Sequence, residues 1–258
     1  MTTILLCALA ALSLFAGVLL CLRIGWRLGR KRHADLGEDG QAGLGALDGS
    51  VYGMMGLLIA FTFTGAASRF QDRRDLITQQ VNAAGTAWLR TELLEGRDKA
   101  EVQALLRDYV DALLVLGANA ADAEVRTATV AELGTLQDRL WLRLAAAVRA
   151  NPAAAPAAAM LPPFNELFDL TTTRIRAAYQ HPPVAIYLML GVLVLVSALF
   201  AGFGMAKAPR QSWLHLVAFS AVLALAIYLI LDLEFPRLGL IRVTSADQAL
   251  VDLRATMK

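Results

Sequence analysis

The sequence predicts an all-α membrane protein with four transmembrane helices and a helical extramembrane bundle continuous with the second span. Hydrophobic residues make up 57% of the 258 residues, and the mean hydropathy of +0.52 exceeds that of ordinary soluble proteins. This apolarity is concentrated in four uncharged runs, each about as long as a helix that crosses a bilayer. The runs are residues 4–22, 49–68, 184–206 and 213–231.

The second run continues without proline into a polar stretch, so residues 51–94 are predicted to form one helix. At 1.5 Å per residue this helix is about 65 Å long, roughly twice the hydrocarbon thickness. Beyond the membrane, one apolar stripe is predicted at Ile77, Val81, Ala84 and Trp88. A glycine-rich acidic loop, 35–49, precedes the helix, and its last residues with Ser50 are expected to cap the helix.

The spans divide the chain into three predicted regions: 1–68 with the first two spans and a basic loop, 69–183 as a helical extramembrane domain, and 184–258 with the last two spans and an amphipathic tail. Helices are expected inside the domain because its leucines recur at helical spacing. The last of them is predicted over 164–180. The preceding segment, 151–163, contains four prolines and is expected to be a non-helical connection.

Charge and motifs exclude several function classes. The block 69–183 carries 13 basic and 14 acidic residues, so no nucleic-acid surface is expected. The sequence shows no nucleotide loop, metal-ligand spacing or catalytic triad, which predicts a protein without cofactor or metal that is not an enzyme. Cys7 and Cys21 lie about four turns apart in one helix and cannot bridge to each other.

A basic cluster follows the first span: Arg23, Arg27, Arg30, Lys31 and Arg32. It is interpreted either as a topology signal or as a site for lipid headgroups. Four spans place both termini on one side of the membrane, and basic residues are equally numerous on the two sides. Basic residues that flank a long domain contribute less to membrane orientation than those in short loops. Charge alone therefore favours the short loops on the cytoplasmic side and the helical domain on the outer side.

Two polar sets lie near the predicted membrane exit. Arg69 and Arg73 share one face of the long helix, and Asn165 and Asp169 share one face of the helix at 164–180, with Arg174 about one turn later. They form either a solvated, membrane-flanking set of charges or a packed polar layer between the two helices. In the second case we expect Asp169 beside Arg69 or Arg73.

Asn82, which is flanked by Val81 and Ala84 on the long helix, could belong to the same polar layer.

Four stretches together resemble a bacterial integral-membrane family described as bestrophin-like, and with the spans they cover nearly the whole chain. The stretches are GLLIAFTFTGAASRFQDRR, NAAGTAWLR, FNELFDLTTTRIRAAYQHPP and LDLEFPRLGLIRV. The resemblance implies a multi-pass protein of the bacterial inner membrane with its domain in the cytoplasm, opposite to the side that charge favours. Gln80 departs from the family, which usually has an acidic residue there.

Bestrophins are pentameric anion channels whose second membrane helix lines a hydrophobic neck and ends in an arginine-aromatic pair. Arg69-Phe70 resembles that pair, and counting back along the helix places Phe61, Leu57 and Gly53 at the neck. The resemblance therefore implies a homo-oligomer in the lipid bilayer that conducts small anions. The acidic calcium site of animal bestrophins has no counterpart. A non-conducting scaffold or sensor with a helical interaction domain is the alternative.

Overall fold

A computed structural model describes residues 2–32, 38–150, 155–207, 212–235, 237, 239–241 and 243–258. Within these residues the chain is helical and contains no strand. Its α-helices are α1 (Thr2–Arg32), α2 (Glu38–Arg90), α3 (Gly96–Ala118), α4 (Ala123–Ala150), α5 (Ala155–Tyr179), α6 (Val184–Gly204), α7 (Trp213–Glu234) and α8 (Thr244–Thr256). Two 3-10 turns, Thr91–Leu93 and Met205–Lys207, extend α2 and α6.

Four stretches of the described chain are helical, long and apolar enough to cross a membrane: Leu5–Arg32, Leu44–Leu93, Ala159–Gly204 and Trp213–Glu234. They overlap the four runs predicted from the sequence and leave out only residues 4, 205 and 206 of those runs. The predicted fold class is therefore confirmed: an all-α protein with four membrane-spanning candidates, the second of which is continuous with a helical region.

Helix α2 runs unbroken for 53 residues, about 80 Å, and has no turn at the predicted membrane surface. Its start corrects the prediction, because Glu38 is already helical and no cap forms at Asp48–Ser50. The Ser50 hydroxyl donates to the Ala46 carbonyl four residues earlier, which is the bond of a serine inside a helix. Of the predicted loop, residues 35–37 lie outside the described residues.

The chain divides into two compact units, and the first comprises Met1–Arg69 and His181–Phe235. In this membrane unit α1 packs against α6 and α7. The close approach to α6 depends on glycine: a Cβ at Gly202 would lie 2.8 Å from the carbonyl carbon of Leu22, where no side chain fits. Small residues at such a seam let two helix backbones approach, which favours packing in lipid. The core around the seam includes Val18, Leu22, Val194 and Ala198.

The second unit comprises Phe70–Gln180 and Pro236–Lys258. In this extramembrane unit α3 packs against α4 and α8, and α4 also contacts α5. The leucines at helical spacing on α4 are buried as their spacing predicts: Leu133, Leu136, Leu140 and Leu144. On α2 the buried face is Ile77, Gln80, Ala84 and Ala87, slightly rotated from the predicted stripe because Val81 and Trp88 are only half-buried.

Helix α5 begins at Ala155, nine residues before the predicted start, and carries Pro162 and Pro163 in its interior. Each proline removes a backbone hydrogen bond, but Met160 and Phe164 on either side are almost completely buried, and that burial offsets the loss. The predicted connection at 151–163 is thus wrong from Ala155 onward. Residues 151–154 lie outside the described residues.

The C-terminal tail also corrects the predicted division into regions. It was grouped with the last two spans, but residues 236–258 belong to the extramembrane unit. Leu250 and Met257 are buried in the core of that unit, and Arg254 donates two hydrogen bonds to the Asp111 carboxylate on α3, at 2.7 and 2.9 Å. An amphipathic helix is stable where another element covers its apolar face, and α3 covers the apolar face of α8.

Candidate functional site

One face of the membrane half of α2 is left uncovered by the other residues that the structure describes. The side chains of Leu57 and Phe61 are 56% and 66% exposed, and nothing lies within 4 Å of a Cβ added at Gly53. These three predicted neck residues therefore share an open face, on which each lies about one turn after the one before. Thr64 and Ser68 continue the same face toward the end of the span and are also exposed.

An ion pair lies at the end of the membrane unit. Glu234, the last residue of α7, has a side chain that is only 1% exposed. It accepts a 2.6 Å hydrogen bond from Nε of Arg69, whose terminal nitrogen also contacts the carboxylate. His181 Nδ1 lies 3.2 Å from the other oxygen, and the His181 ring packs on Phe235 at 4.9 Å between centroids. Arg69, a predicted site residue, thus binds the end of α7.

A buried polar network links four helices of the extramembrane unit. The Gln80 amide on α2 donates to the Thr171 hydroxyl on α5 at 2.6 Å, and Tyr109 of α3 donates to the same oxygen at 2.8 Å. Gln137 of α4 completes the network by donating a hydrogen bond to the Tyr109 hydroxyl at 2.9 Å. Gln80, Tyr109 and Thr171 are at most 2% exposed. Satisfied networks of this kind hold the helices in one register.

The network continues through Arg174, which donates to the Gln80 side-chain oxygen and contacts Asp247 at 3.4 Å. Asp247, on α8, also receives two hydrogen bonds from Arg237, at 2.8 and 2.9 Å. Arg237 in turn donates to the carbonyl of Gly117 at the end of α3. The cluster therefore joins the tail to α2, α3 and α5.

Arg73 makes a second link between α2 and α5. Arg73 is 9% exposed, and its guanidinium donates to the carbonyls of Ala177 and Gln180, at 3.2 and 3.0 Å. These carbonyls lie at the C-terminal end of α5, where the helix dipole favours a positive charge. Two predicted members of the polar layer, Arg73 and Arg174, therefore do lie between α2 and α5.

Three other predicted members of the layer point away from it. Asn82, Asn165 and Asp169 are exposed, and Asp169 has no ion-pair partner among the described residues. Asp169 was expected beside Arg69 or Arg73, but Arg73 uses backbone carbonyls instead. Asn165 and Asp169 line an open surface cavity of about 680 Å³ along α5.

The residues that complete these clusters were not identified as site residues from the sequence. Gln80 carried a signal, since it is a polar residue inside an apolar helical stripe and must be hydrogen-bonded when buried. Helical spacing could not pair Glu234 with Arg69 or Asp247 with Arg174, because these partners lie 165 and 73 positions apart in the chain. Among the described residues, no group of three His, Cys, Asp or Glu side chains could hold a metal ion.

Tyr109→Phe is expected to test the buried network by its dependence on pH. At neutral pH the variant should lose about 1–2 kcal/mol of unfolding free energy, because Gln137 loses its acceptor. Burial raises the pKa of Tyr109 to about 12, although its bonds with Thr171 and Gln137 act in the opposite direction.

Above pH 10 the unfolded chain ionises this phenol while the folded chain keeps its proton, so wild-type stability falls as pH rises from 10 toward 12. At pH 11.5 the wild type has lost about 2 kcal/mol that the variant cannot lose. Chemical denaturation followed by circular dichroism should show that the difference in unfolding free energy between the wild type and Tyr109→Phe closes between pH 7.5 and 11.5. A constant difference would mean that the phenol ionises equally in both states.

Comparison with known proteins places the chain in a family. The bestrophin-like domain matches residues 49–248. The fold is similar to that of a bacterial bestrophin homologue from Klebsiella pneumoniae: one mutant structure matches with 15% identity and a TM-score of 0.68 over 93% of this chain and 98% of that one, and another with 16% identity and a TM-score of 0.64 over 95% and 98%. A search of curated protein sequences gave no match. The chain belongs to the bestrophin-like family.

Proposed function

We propose that the chain is a homo-oligomeric ion channel of the bacterial inner membrane, with a hydrophobic neck formed by Gly53, Leu57 and Phe61 of each copy and with small anions as the permeant ions. The observation that carries this proposal is the open face of α2. A large aromatic side chain that is 66% exposed within a span, on a face that continues into exposed hydroxyls, suits the wall of a pore between copies of the chain.

The neck would gate without a charged group. A narrow ring of apolar side chains resists wetting, so an ion that enters it loses water without gaining a partner. Gly53 and Leu57 widen the ring toward one end, and Phe61 makes its narrowest level. Thr64 and Ser68 then return hydroxyl groups to the wall, where ions regain polar contacts.

A second candidate, a cation-conducting pore, is favoured by the continuation of the same face. Asp72 and Asp75 follow Ser68 at helical spacing and are exposed, as are Gln79 and Asn82 further along α2. If this face lines a pore below the neck, the two carboxylates attract cations and repel anions. The ion species that crosses the membrane separates the two candidates.

Phe61→Ala is expected to raise ion flux several-fold in proteoliposomes, because the neck becomes wider and shorter while the lost contacts face a lumen. Phe63→Ala is the matched control: Phe63 is 43% exposed on the same helix but lies about half a turn away from Phe61. Flux of chloride, nitrate, sodium and potassium should be measured separately, with light scattering to determine the number of copies in detergent.

The result that supports an anion channel is chloride flux that rises in Phe61→Ala and stays at the wild-type level in Phe63→Ala. Cation flux that falls in the double variant Asp72→Asn, Asp75→Asn supports the second candidate. A monomer, or a folded wild type and a folded Phe61→Ala variant that are both silent for all four ions, would overturn the channel and favour a non-conducting scaffold or sensor.

A further inference from the structure

The rotation of α1 in the membrane unit is set by its packed face. Val18 and Leu22 are at most 1% exposed, and an added Cβ at Gly25 would lie 2.9 Å from the backbone nitrogen of Phe203 on α6. A Cβ at Gly29 would lie 2.6 Å from the Cβ of Ala206. These four residues recur every three or four positions, so one face of α1 is against α6 down to the last turn. The opposite face points away from the packed helices.

That outward face carries a basic stripe, which we define as Arg23, Arg27, Arg30 and Lys31. All four side chains are exposed, and none has an ion-pair or hydrogen-bond partner among the described residues. Residues 2–32 contain no acidic residue that could balance them. The helix dipole favours cations only in the last turn, which accounts for Arg30 and Lys31 but not for Arg23 and Arg27 one to two turns earlier. Like charges at i, i+4 repel each other unless an anion lies between them.

An apolar strip runs beside the basic stripe. Leu20, Ile24 and Leu28 are 59%, 40% and 46% exposed and precede Arg23, Arg27 and Lys31 by three residues each, so the two rows are neighbours on the helix surface. Arg30 packs its guanidinium over the ring of Trp26 at 4.9 Å, an aromatic residue of the kind enriched at membrane interfaces. The outward face therefore presents an apolar row and a cationic row side by side.

We propose that the basic stripe binds the phosphate group of an anionic phospholipid, whose acyl chains lie along Leu20, Ile24 and Leu28. The chemistry required is a phosphate oxyanion, which arginine recognises with two parallel N–H donors. A free phosphate would satisfy the guanidinium groups alone. The adjoining apolar strip favours a lipid, because a lipid fills both rows at once. This site is separate from the α2 face proposed as a pore wall and does not depend on it.

The test uses the full-length protein in a neutral detergent, where membrane orientation has no influence. Thermal unfolding is followed by tryptophan fluorescence during titration with phosphatidylglycerol, with phosphatidylcholine and with inorganic phosphate, and lipid retention is read by native mass spectrometry. Phosphatidylglycerol is expected to raise Tm and to be retained, whereas phosphatidylcholine does neither. At about fivefold per basic residue, the double variant Arg27→Gln, Lys31→Gln should bind phosphatidylglycerol roughly 25-fold more weakly.

The matched control is Arg139→Gln, Arg149→Gln, which removes two exposed arginines from α4 and should bind the lipid as the wild type does. Should the α1 variant not fold, wild-type protein in high salt provides the second measurement, since screening must weaken the phosphatidylglycerol shift. Equal effects of the two lipids, or equal affinity in the two double variants, would overturn the proposal. If inorganic phosphate raised Tm as much as phosphatidylglycerol does, the proposal of a lipid ligand would be overturned and the stripe would be a phosphate site.

Discussion

Gly202→Ala is expected to destabilise the membrane unit by about 3 kcal/mol, because the added methyl has no space at the α1–α6 seam. Its Cβ would lie 2.8 Å from the carbonyl carbon and 2.9 Å from the Cα of Leu22. Both are backbone atoms, so no side-chain rotation relieves the clash and the two helices must separate. That separation also loosens the buried contacts of Val194 and Ala198. A fall in Tm in detergent measures the loss.

Gly191→Ala is the matched control, since Gly191 lies on the same helix and nothing comes within 4 Å of a Cβ added there. This variant gains helix propensity and should unfold at or slightly above the wild-type temperature. If Gly202→Ala were as stable as Gly191→Ala, the two helices would have to be further apart than the structure places them.

Glu234→Ala is expected to cost about 3 kcal/mol, because it removes one partner of a buried ion pair. The carboxylate is 1% exposed, and Arg69, which is 30% exposed, would remain partly buried without its counter-charge. His181 would lose a hydrogen-bonding partner as well. Thermal unfolding of the purified protein measures the effect, with Glu132→Ala as control, because Glu132 is exposed on α4.

A double-mutant cycle isolates the pair. Arg69→Met removes the charge that Glu234→Ala leaves behind, so the double variant should be more stable than Glu234→Ala alone. Additive losses from the two substitutions would contradict a direct interaction. In that case Glu234 would have to contribute through His181 and not through Arg69.

Local patterns predicted those features that depend on neighbouring residues. The absence of proline after Val51 predicted a helix that passes the membrane surface unbroken, and the spacing of leucines predicted the buried face of α4. The same reasoning placed helix starts too late at Val51 and Phe164, whereas α2 begins at Glu38 and α5 at Ala155. Proline disfavours the helix interior by about 3 kcal/mol, and burial of Met160 and Phe164, at about 1.5–3 kcal/mol each, offsets costs of that size.

The candidate site could be predicted only in part. Helical spacing placed Gly53, Leu57 and Phe61 on one face, and the structure leaves that face open. Spacing could not identify the partner of Arg69, which is 165 positions away in the chain. It also gave Asn82 and Asp169 an inward direction that they lack, because a periodic pattern shows which residues share a face but not which face is covered.

By itself the sequence determined the number of spans, the all-α class and the continuity of α2, because these follow from the length of apolar runs and the hydrogen bonding of a helix to its own backbone. Only the tertiary structure decided the rotation of α1, the burial of Gln80 beneath Arg174 and the attachment of α8 to α3. Each of these rests on contacts between segments far apart in the chain, where shape and charge must match across helices. Complementary shape and charge between two helices depend on which of their faces pack together, and the pattern of neighbouring residues does not predict that.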